Sequence, residues 1–256
     1  MSAQSAIVTG ASRGIGKQLA IELGKLGYNV AVAARTVTPH AKLAGSIGET
    51  VEAVEAAGGH AVAVAVDLRE PNDIRRLVDT ALESFGGIDL LVNNAADTSG
   101  GVPALGELDM HDWARQFDVN LNAPLRLMQA ALPALTKSRR GLIVNLTSSA
   151  ADHVPLAVQG GESAALGGER LAYAASKAAL NRLANALAPQ LRAQGIAIVN
   201  VDPGFTRTEL VERMAIRGVV DAAASHPMSV PVELVMSVVG SPDPMAMSGE
   251  VLHARG

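Results

Sequence analysis

The sequence predicts an α/β fold with a doubly wound, mainly parallel seven-stranded sheet flanked by helices on both faces. Two observations support this prediction. Short apolar runs rich in β-branched residues alternate along the chain with longer segments of helical periodicity. These runs are apolar at successive positions, as expected for strands that are buried on both faces of a parallel sheet. Because βα units repeat with right-handed crossovers, the helices are expected to cover both faces.

Six strands and a short seventh edge strand at Val251 and Leu252 are predicted. The six strands lie at 6–9, 29–34, 61–66, 88–93, 142–146 and 196–201. The intervening helices are predicted at 15–26, 46–57, 71–85, 109–135 and 170–194. Asp109 is a suitable N-cap, and Pro71 is tolerated in a first helical turn. Glycines end the helices just before the next strand, at Gly27, Gly58, Gly86 and Gly195.

The composition favours one domain over residues 1–256 and excludes several kinds of chemistry. With 48% hydrophobic and 18% charged residues, the chain can bury a large core. A net charge of −4 offers no basic face for nucleic acid. The absence of cysteine excludes disulfides and thiolate ligands, and the six histidines lack the spacing of metal ligands, so no metal site is predicted.

The hydropathy pattern bears on location. No apolar stretch is long enough to span a membrane without glycine or charge, and residues 1–10 lack the features of a secretory signal. A cytoplasmic location is therefore expected.

Two segments interrupt the regular alternation of strands and helices: a long excursion at 35–45, and a glycine-rich stretch at 152–168 that is predicted to be a mobile loop. Neither separates two domains.

The first strand runs directly into the string TGASRGIG, which spans residues 9–16 and is followed by a helix. Glycine allows a tight turn and a close backbone approach, and the N-terminus of a helix favours a bound anion. This context predicts a Rossmann-type dinucleotide site. The expected cofactor contacts in the turn are Gly10, Ser12, Arg13, Gly14, Ile15 and Gly16.

The spacing of these glycines differs from the GxGxxG of many dehydrogenases, and TGASRGIG resembles the short-chain dehydrogenase/reductase family. The resemblance continues in order along nearly the whole chain. Residues 93–96 (NNAA) are similar to the family's NNAG element, and residues 203–208 (PGFTRT) are similar to its PGxxxT segment. Residues 36–47 look like the hydroxysteroid-dehydrogenase-like branch. The resemblance implies further cofactor contacts at Asp67, Leu68, Asn94, Ala95, Pro203, Gly204, Thr206 and Thr208, whereas Asn93 is expected to brace the sheet.

The cofactor is predicted to be NADP(H), with NAD(H) as the alternative. Sites that prefer NAD usually have a carboxylate after the second strand, where it binds the ribose 2′-hydroxyl. This sequence has Arg35 there and no acid nearby. Arg35 and Arg13 are suited to pair with a 2′-phosphate.

The string YAASK, residues 173–177, gives the strongest catalytic signal. Tyr173 and Lys177 are four positions apart and therefore share one face of a helix, where the ammonium favours the phenolate. The resemblance assigns both residues to catalysis and to the nicotinamide ribose. It also places a substrate-binding hydroxyl at Ser148, with Ser149 as the alternative. A supporting asparagine that holds a water near the lysine is placed at Asn120, with Asn122 as the alternative.

The spacing between Ser148 and Tyr173 is roughly twice that usual in the family, so the extra residues fall in the 152–168 loop. Residues 205–230 are predicted to form a mobile cover over the substrate. Together these features predict an NADP(H)-dependent enzyme that interconverts a carbonyl and a secondary alcohol on a ketone, β-ketoacyl or steroid-like small molecule. The resemblance favours a homodimer or homotetramer built through the helix that carries Ala174, Ala178 and Ala179. A catalytically silent NADP(H)-binding regulator and an NAD-linked epimerase or dehydratase remain as alternatives.

Overall fold

A computed structural model describes residues 3–38, 44–99, 105–152, 171–218 and 220–254. The described strands form one seven-stranded sheet in the order β3-β2-β1-β4-β5-β6-β7, and every neighbouring pair is parallel. The strands are β1 (Ser5–Thr9), β2 (Asn29–Ala34), β3 (His60–Ala65), β4 (Leu90–Asn93), β5 (Gly141–Leu146), β6 (Ile196–Asp202) and β7 (Val251–His253). The predicted doubly wound single-domain fold is confirmed, including the short edge strand at Val251.

Eight α-helices lie in the described ranges. They are α1 (Gly14–Lys25), α2 (Ile47–Ala56), α3 (Pro71–Phe85), α4 (Met110–Phe117), α5 (Ala123–Leu135), α6 (Leu171–Arg192), α7 (Glu209–Ile216) and α8 (Ser229–Gly240). Asp109 accepts a hydrogen bond from the backbone of His111 as an N-cap, and Pro71 lies in the first turn of α3. Helices α1, α2, α3 and α6 are followed by glycines with positive φ, as predicted: Gly27, Gly58, Gly86 and Gly195.

Two apolar cores lie on opposite faces of the sheet. The first packs α1, α2 and α8 against one face, and the second packs α3, α5 and α6 against the other. Alternate residues of β1 serve the two cores, since Ala6 and Val8 belong to the first and Ile7 to the second. This arrangement explains why the strands are apolar at successive positions.

The structure corrects the predicted continuous helix at 109–135. A π-helical turn, Asp118–Asn122, separates α4 from α5. Pro124 has no N–H with which to donate to the carbonyl oxygen of Asn120, as an α-helix would require. The helix widens instead, and the N–H of Ala123 donates to the carbonyl of Asp118.

Helix α8 was missed, because the sequence pattern assigned no element to residues 229–240. The helix buries Pro231, Val232, Val235, Val238 and Val239 in the first core. Its β-branched composition favours strands locally, so the helix depends on packing against the sheet. Among the described residues, none of the helices has the length and apolar character needed to cross a bilayer.

Candidate active site

The strand order reverses between β1 and β4, and the glycine turn after β1 lies at this point. In open α/β sheets, ligands bind in the crevice at such a reversal. Gly10 has a φ of +66°, and a Cβ atom there would lie 2.8 Å from the Cα of Ala95. The turn after β1 and the segment after β4 therefore contact each other through backbone, which explains why both have small residues where they meet.

The side chain of Asn94 is used to hold this turn. Its Nδ2 atom donates to the carbonyl oxygens of Thr9, at 2.8 Å, and Gly10, at 3.2 Å. In return, the Oγ1 of Thr9 accepts from the backbone N–H groups of Asn94 and Ala95. A Cβ on Gly16 would overlap the Asn94 amide. Thr9 was not singled out from the sequence, although it is the first residue of the TGASRGIG string.

Arg13 belongs to the glycine turn, and its side chain reaches the segment after β2. Its Nη2 donates to the carbonyl of Gly45 at 3.0 Å and contacts the Oγ1 of Thr36 at 3.4 Å. Its Nε is buried and has no hydrogen-bond partner among the described residues. A buried donor without a partner is unfavourable, and a phosphate oxygen would satisfy it. The donors present here therefore fit the 2′-phosphate end of a dinucleotide.

Arg35 is the residue directly after β2, and its side chain is exposed. No hydrogen bond or ion pair to Arg35 occurs in the described part of the chain. The hydrogen bonds from Arg69 hold the pKa of the Asp67 carboxyl below its usual range, and the charge of Arg35 adds to that effect. The guanidinium of Arg35 is thus close enough to Asp67 to act on it.

Asp67 and Leu68 follow β3, at the carboxyl ends of the parallel strands, as the glycine turn follows β1. The Asp67 carboxylate accepts a hydrogen bond from the Nε of Arg69 at 3.0 Å, and its own N–H donates to Asp73 at 2.9 Å. Leu68 is buried in the second core. Asp67 is therefore held in place by Arg69 and Asp73, neither of which was singled out from the sequence.

The segment after β6 contains Pro203, Gly204, Thr206 and Thr208. The N–H of Gly204 donates to the Oδ1 of Asp202 at 3.0 Å, and the Oγ1 of Thr206 donates to the carbonyl of Pro203 at 2.7 Å. Thr208 is the N-cap of α7, where its hydroxyl accepts from Val211. These hydrogen bonds hold residues 202–208 in a turn that leads into α7.

The next residue, Glu209, reaches back to the glycine turn. Its Oε1 accepts a hydrogen bond of 3.3 Å from the backbone N–H of Gly14, the first residue of α1. Its Oε2 is buried and has no partner among the described residues. No local sequence pattern indicates this contact, because Gly14 and Glu209 are far apart in the sequence and meet only in the folded chain.

The two candidate hydroxyls lie just past β5 and differ in exposure. Ser148 is half-buried, and its Oγ accepts from the backbone N–H of Ala150 at 3.2 Å. Ser149 is exposed and begins a short 3-10 turn, Ser149–Ala151. Ser148 is therefore the less exposed of the two, and its Oγ has a backbone partner.

Tyr173 and Lys177 lie one turn apart near the start of α6. The Nζ of Lys177 is 5.8 Å from the centroid of the Tyr173 ring, and it donates a 2.7 Å hydrogen bond to the carbonyl of Leu146, the last residue of β5. Lys177 is fully buried, and burial lowers the pKa of its ammonium to about 8. The hydrogen bond joins α6 to the strand that leads to Ser148.

Asn120 lies in the π-helical turn and is completely buried. Its Nδ2 donates to the Oγ of Ser176 at 3.1 Å and to the carbonyl of Asp97 at 3.0 Å, while its Oδ1 accepts from the N–H of Asp97 at 2.7 Å. The structure thus brings Asn120 to the neighbour of Lys177. The alternative, Asn122, bonds instead to Asp118 on its own turn.

Buried asparagines also connect the strands beneath the site. The Nδ2 of Asn93 donates to Asn145 at 2.8 Å, and the Nδ2 of Asn145 donates to Asn200 at 2.9 Å. Asn200 in turn donates to Asn181 on α6 at 2.9 Å. Asn93 braces the sheet as expected, but the row of four amides was not foreseen.

A model of the family described as short chain dehydrogenase matches residues 4–216 of the sequence. The chain belongs to the short-chain dehydrogenase family. The predicted family is confirmed, and with it the expected class of enzyme at the level of the family. Short-chain dehydrogenases bind a nicotinamide cofactor.

The relatives of this short-chain dehydrogenase differ in sequence identity and in how much of this chain their match covers. Hydroxysteroid dehydrogenase-like protein 2 of Mus musculus is 41% identical over 144 residues, which are 55% of this chain and 28% of that protein. The chain thus spans about a third of the length of the relatives of that name. A 3-oxoacyl-[acyl-carrier-protein] reductase of Synechocystis is 31% identical over 214 residues, covering 84% of this chain and 78% of that protein.

A solved structure supports the same family. The short chain dehydrogenase of Burkholderia cenocepacia, in complex with NADP, is 32% identical with a TM-score of 0.79. The superposition covers 100% of this chain and 97% of that chain.

Some predicted features of this short-chain dehydrogenase lie outside the described residues. They are residues 39–43 of the 35–45 excursion and residues 153–168 of the 152–168 loop. The described part of the 205–230 segment contains α7 and a short 3-10 turn, Ala222–Ala224.

Proposed function

We propose that this short-chain dehydrogenase is an NADP(H)-dependent oxidoreductase that interconverts a carbonyl group and a secondary alcohol. The observation that carries the proposal is the position of Lys177, buried one helical turn from Tyr173 and bonded to the end of β5. A phenol, an ammonium and a half-buried serine hydroxyl then lie near one edge of the sheet. That edge is where the glycine turn would hold a dinucleotide.

Each of these groups has a distinct role in the proposed reaction. The nicotinamide, when bound, supplies or accepts the hydride. In the direction of reduction, Tyr173 donates a proton to the substrate oxygen while Ser148 donates a hydrogen bond to it. The ammonium of Lys177 stabilises the phenolate that remains on Tyr173. Oxidation of an alcohol reverses these steps.

Asn120 supports this arrangement through hydrogen bonds to neighbouring residues. It fixes Asp97 by two hydrogen bonds and contacts Ser176, which precedes Lys177. Because Pro124 cannot donate to it, the carbonyl oxygen of Asn120 lacks its α-helical donor and is suited to accept from a water. A water at that position would give Lys177 a route for protons to solvent.

The preference for NADP(H) over NAD(H) rests on two guanidinium groups. Arg35 is exposed at the end of β2 and Arg13 has a buried Nε without a partner in the described residues. Both suit a 2′-phosphate, and no carboxylate occupies the position of Arg35, where one would repel that phosphate. The Burkholderia relative with bound NADP supports this choice.

The substrate class proposed is a small ketone or β-ketoacyl compound. The name of the Synechocystis reductase supports a β-ketoacyl group, whereas the mammalian hydroxysteroid dehydrogenase-like relative supports a steroid-like ring.

Three further features stay predictions or proposals. We predict that residues 205–230 form a mobile cover over the substrate and that the protein is cytoplasmic. The homodimer or homotetramer is also a proposal, supported by the small side chains on the outer part of α6, among them the exposed Ala178.

The proposal is tested by turnover. Purified protein is incubated with NADPH or NADH and a panel of ketones, β-ketoacyl thioesters and aldehydes, and the absorbance of the reduced nicotinamide is followed. We expect oxidation of NADPH with at least one carbonyl compound. Tight NADPH binding without turnover on any member of the panel would contradict the proposal and favour a regulatory protein.

A further inference from the structure

The backbone N–H groups at the start of α1 are the donors that a dinucleotide diphosphate would use. One of them is already occupied by an anion of the chain itself. The N–H of Gly14 donates to the Oε1 of Glu209 at 3.3 Å. The second carboxylate oxygen of Glu209 is buried without a partner in the described part of the chain.

The surroundings explain why a carboxylate is favourable here. Thr208 and Glu209 begin α7, and their side chains pack against Gly14, with the Glu209 Oε2 3.6 Å and the Thr208 Cγ2 3.7 Å from an ideal Cβ on that glycine. The first residues of α1 and α7 are therefore in contact. Both ends carry partial positive charge, so an anion between them is stabilised by both helices.

A diphosphate and this carboxylate cannot share the same donors. Their negative charges repel each other, and the backbone of Gly14 offers a single N–H donor. We propose that Glu209 is an internal anion that occupies the diphosphate position in the cofactor-free protein and lowers the affinity for the dinucleotide by competing with it. This inference rests on the proposed function, since it concerns the same cofactor site.

The proposal also links the cofactor to α7. Thr208, which is expected to contact the diphosphate, directly precedes Glu209 in the chain. Displacing the carboxylate therefore changes the contact between the start of α7 and the glycine turn. A dinucleotide that enters the site exchanges the Glu209 contact for one with Thr208, and the apparent affinity is reduced by the fraction of molecules in which Glu209 occupies the turn.

The test compares two variants that remove the same charge from the same helix. Glu209→Gln keeps the shape of the side chain, and the control Glu212→Gln changes an exposed carboxylate that lies 3.7 Å from Arg207 and does not contact the turn. The dissociation constants of NADPH and of inorganic pyrophosphate are measured by calorimetry at fixed salt. We expect Glu209→Gln to bind both about five- to tenfold more tightly, and Glu212→Gln to stay within about twofold of the wild type.

A second measurement needs no cofactor. The amide resonance of Gly14 in the cofactor-free protein is compared between the wild type and Glu209→Ala, where loss of the acceptor should move it upfield. Unchanged or weaker NADPH binding in Glu209→Gln, or an unaltered Gly14 resonance, would overturn the inference while leaving the proposed function intact. A wild-type protein that binds neither NADPH nor pyrophosphate would overturn both.

Discussion

The Nζ atom of Lys177 donates a 2.7 Å hydrogen bond to the carbonyl oxygen of Leu146. Leu146 ends β5, and Lys177 lies in the second turn of α6, so the bond joins the strand that leads to Ser148 and the helix that carries Tyr173. Groups held by a strand and a helix keep their geometry better than groups on loops. The same burial that fixes Lys177 also lowers its pKa to about 8.

Lys177→Met should change how stability depends on pH. In the wild type the pKa of Lys177 falls from 10.5 when unfolded to about 8 when folded, so the unfolded chain binds more protons between these values. The free energy of unfolding of the wild type therefore rises with pH across this window. Below the window, the free-energy cost of burying the charged ammonium is constant. The stability of Lys177→Met relative to the wild type should fall by about 3 kcal/mol from about pH 7 to about pH 10.5.

Urea denaturation at both ends of this window measures the change. Lys25→Met is the control, because Lys25 is exposed and pairs only with Glu22 in the described structure. A stability difference between Lys177→Met and the wild type that stays level from neutral to alkaline pH would show that the buried ammonium is not penalised.

Tyr173→Phe should abolish turnover while leaving cofactor binding in place. The substitution removes the hydroxyl that is proposed to donate the proton and keeps the ring. We expect kcat to fall by about 10²- to 10⁴-fold, with the NADPH dissociation constant within about twofold of the wild type. The matched control is Tyr28→Phe, since Tyr28 is the other of the two tyrosines and is buried in the first core. Comparable losses in both variants would contradict the assignment.

Ser148→Ala and Ser149→Ala separate the two candidate hydroxyls. Ser148 is half-buried with its Oγ bonded to the N–H of Ala150, whereas Ser149 is exposed. Loss of a hydrogen bond to the developing charge should lower kcat about 10²-fold in Ser148→Ala, and Ser149→Ala should change it by less than about threefold. Steady-state kinetics on the best substrate of the panel measures both. The reverse ranking would assign the role to Ser149.

Arg35→Asp should shift the cofactor preference. The change removes a partner for the 2′-phosphate and places a carboxylate where it can bind ribose hydroxyls instead. We expect NADPH affinity to fall about tenfold or more, with NADH affinity unchanged or higher. Arg75→Asp on α3 is the control, because Arg75 is exposed and bonds to Asn72. Equal losses of NADPH affinity in the two variants would mean that net charge, rather than position, matters.

Asn145→Ala should destabilise the sheet beneath the site. Asn145 is completely buried between Asn93 and Asn200, and its removal leaves a donor on the first and an acceptor on the second without partners. We expect the free energy of unfolding to fall by about 2–4 kcal/mol, measured by urea denaturation. Asn72→Ala, at an exposed position, should cost less than about 0.5 kcal/mol. A loss of similar size in both variants would show that the hydrogen bonds between the buried asparagines do not stabilise the sheet.

Much of this protein is determined by residues that are close in sequence. The alternation of apolar runs with helical segments predicts the order of β1 to β6 and most helices, since periodicity reflects which faces are buried. The glycine turn and the shared helix face of Tyr173 and Lys177 are likewise predicted from residues close in sequence. A turn needs glycine at particular positions, and a helix places residues four apart on one face, so both features are local.

The remaining features depend on contacts between distant parts of the chain. The carboxylate of Glu209 on the Gly14 N–H, the row of asparagines across three strands, and the use of the Asn94 amide to hold the glycine turn all join residues far apart in sequence. Helix α8 likewise depends on packing against the first core, because its valines favour strands locally. The direction in which a polar side chain points is decided by the partners that folding brings to it, and only the tertiary structure supplies those partners.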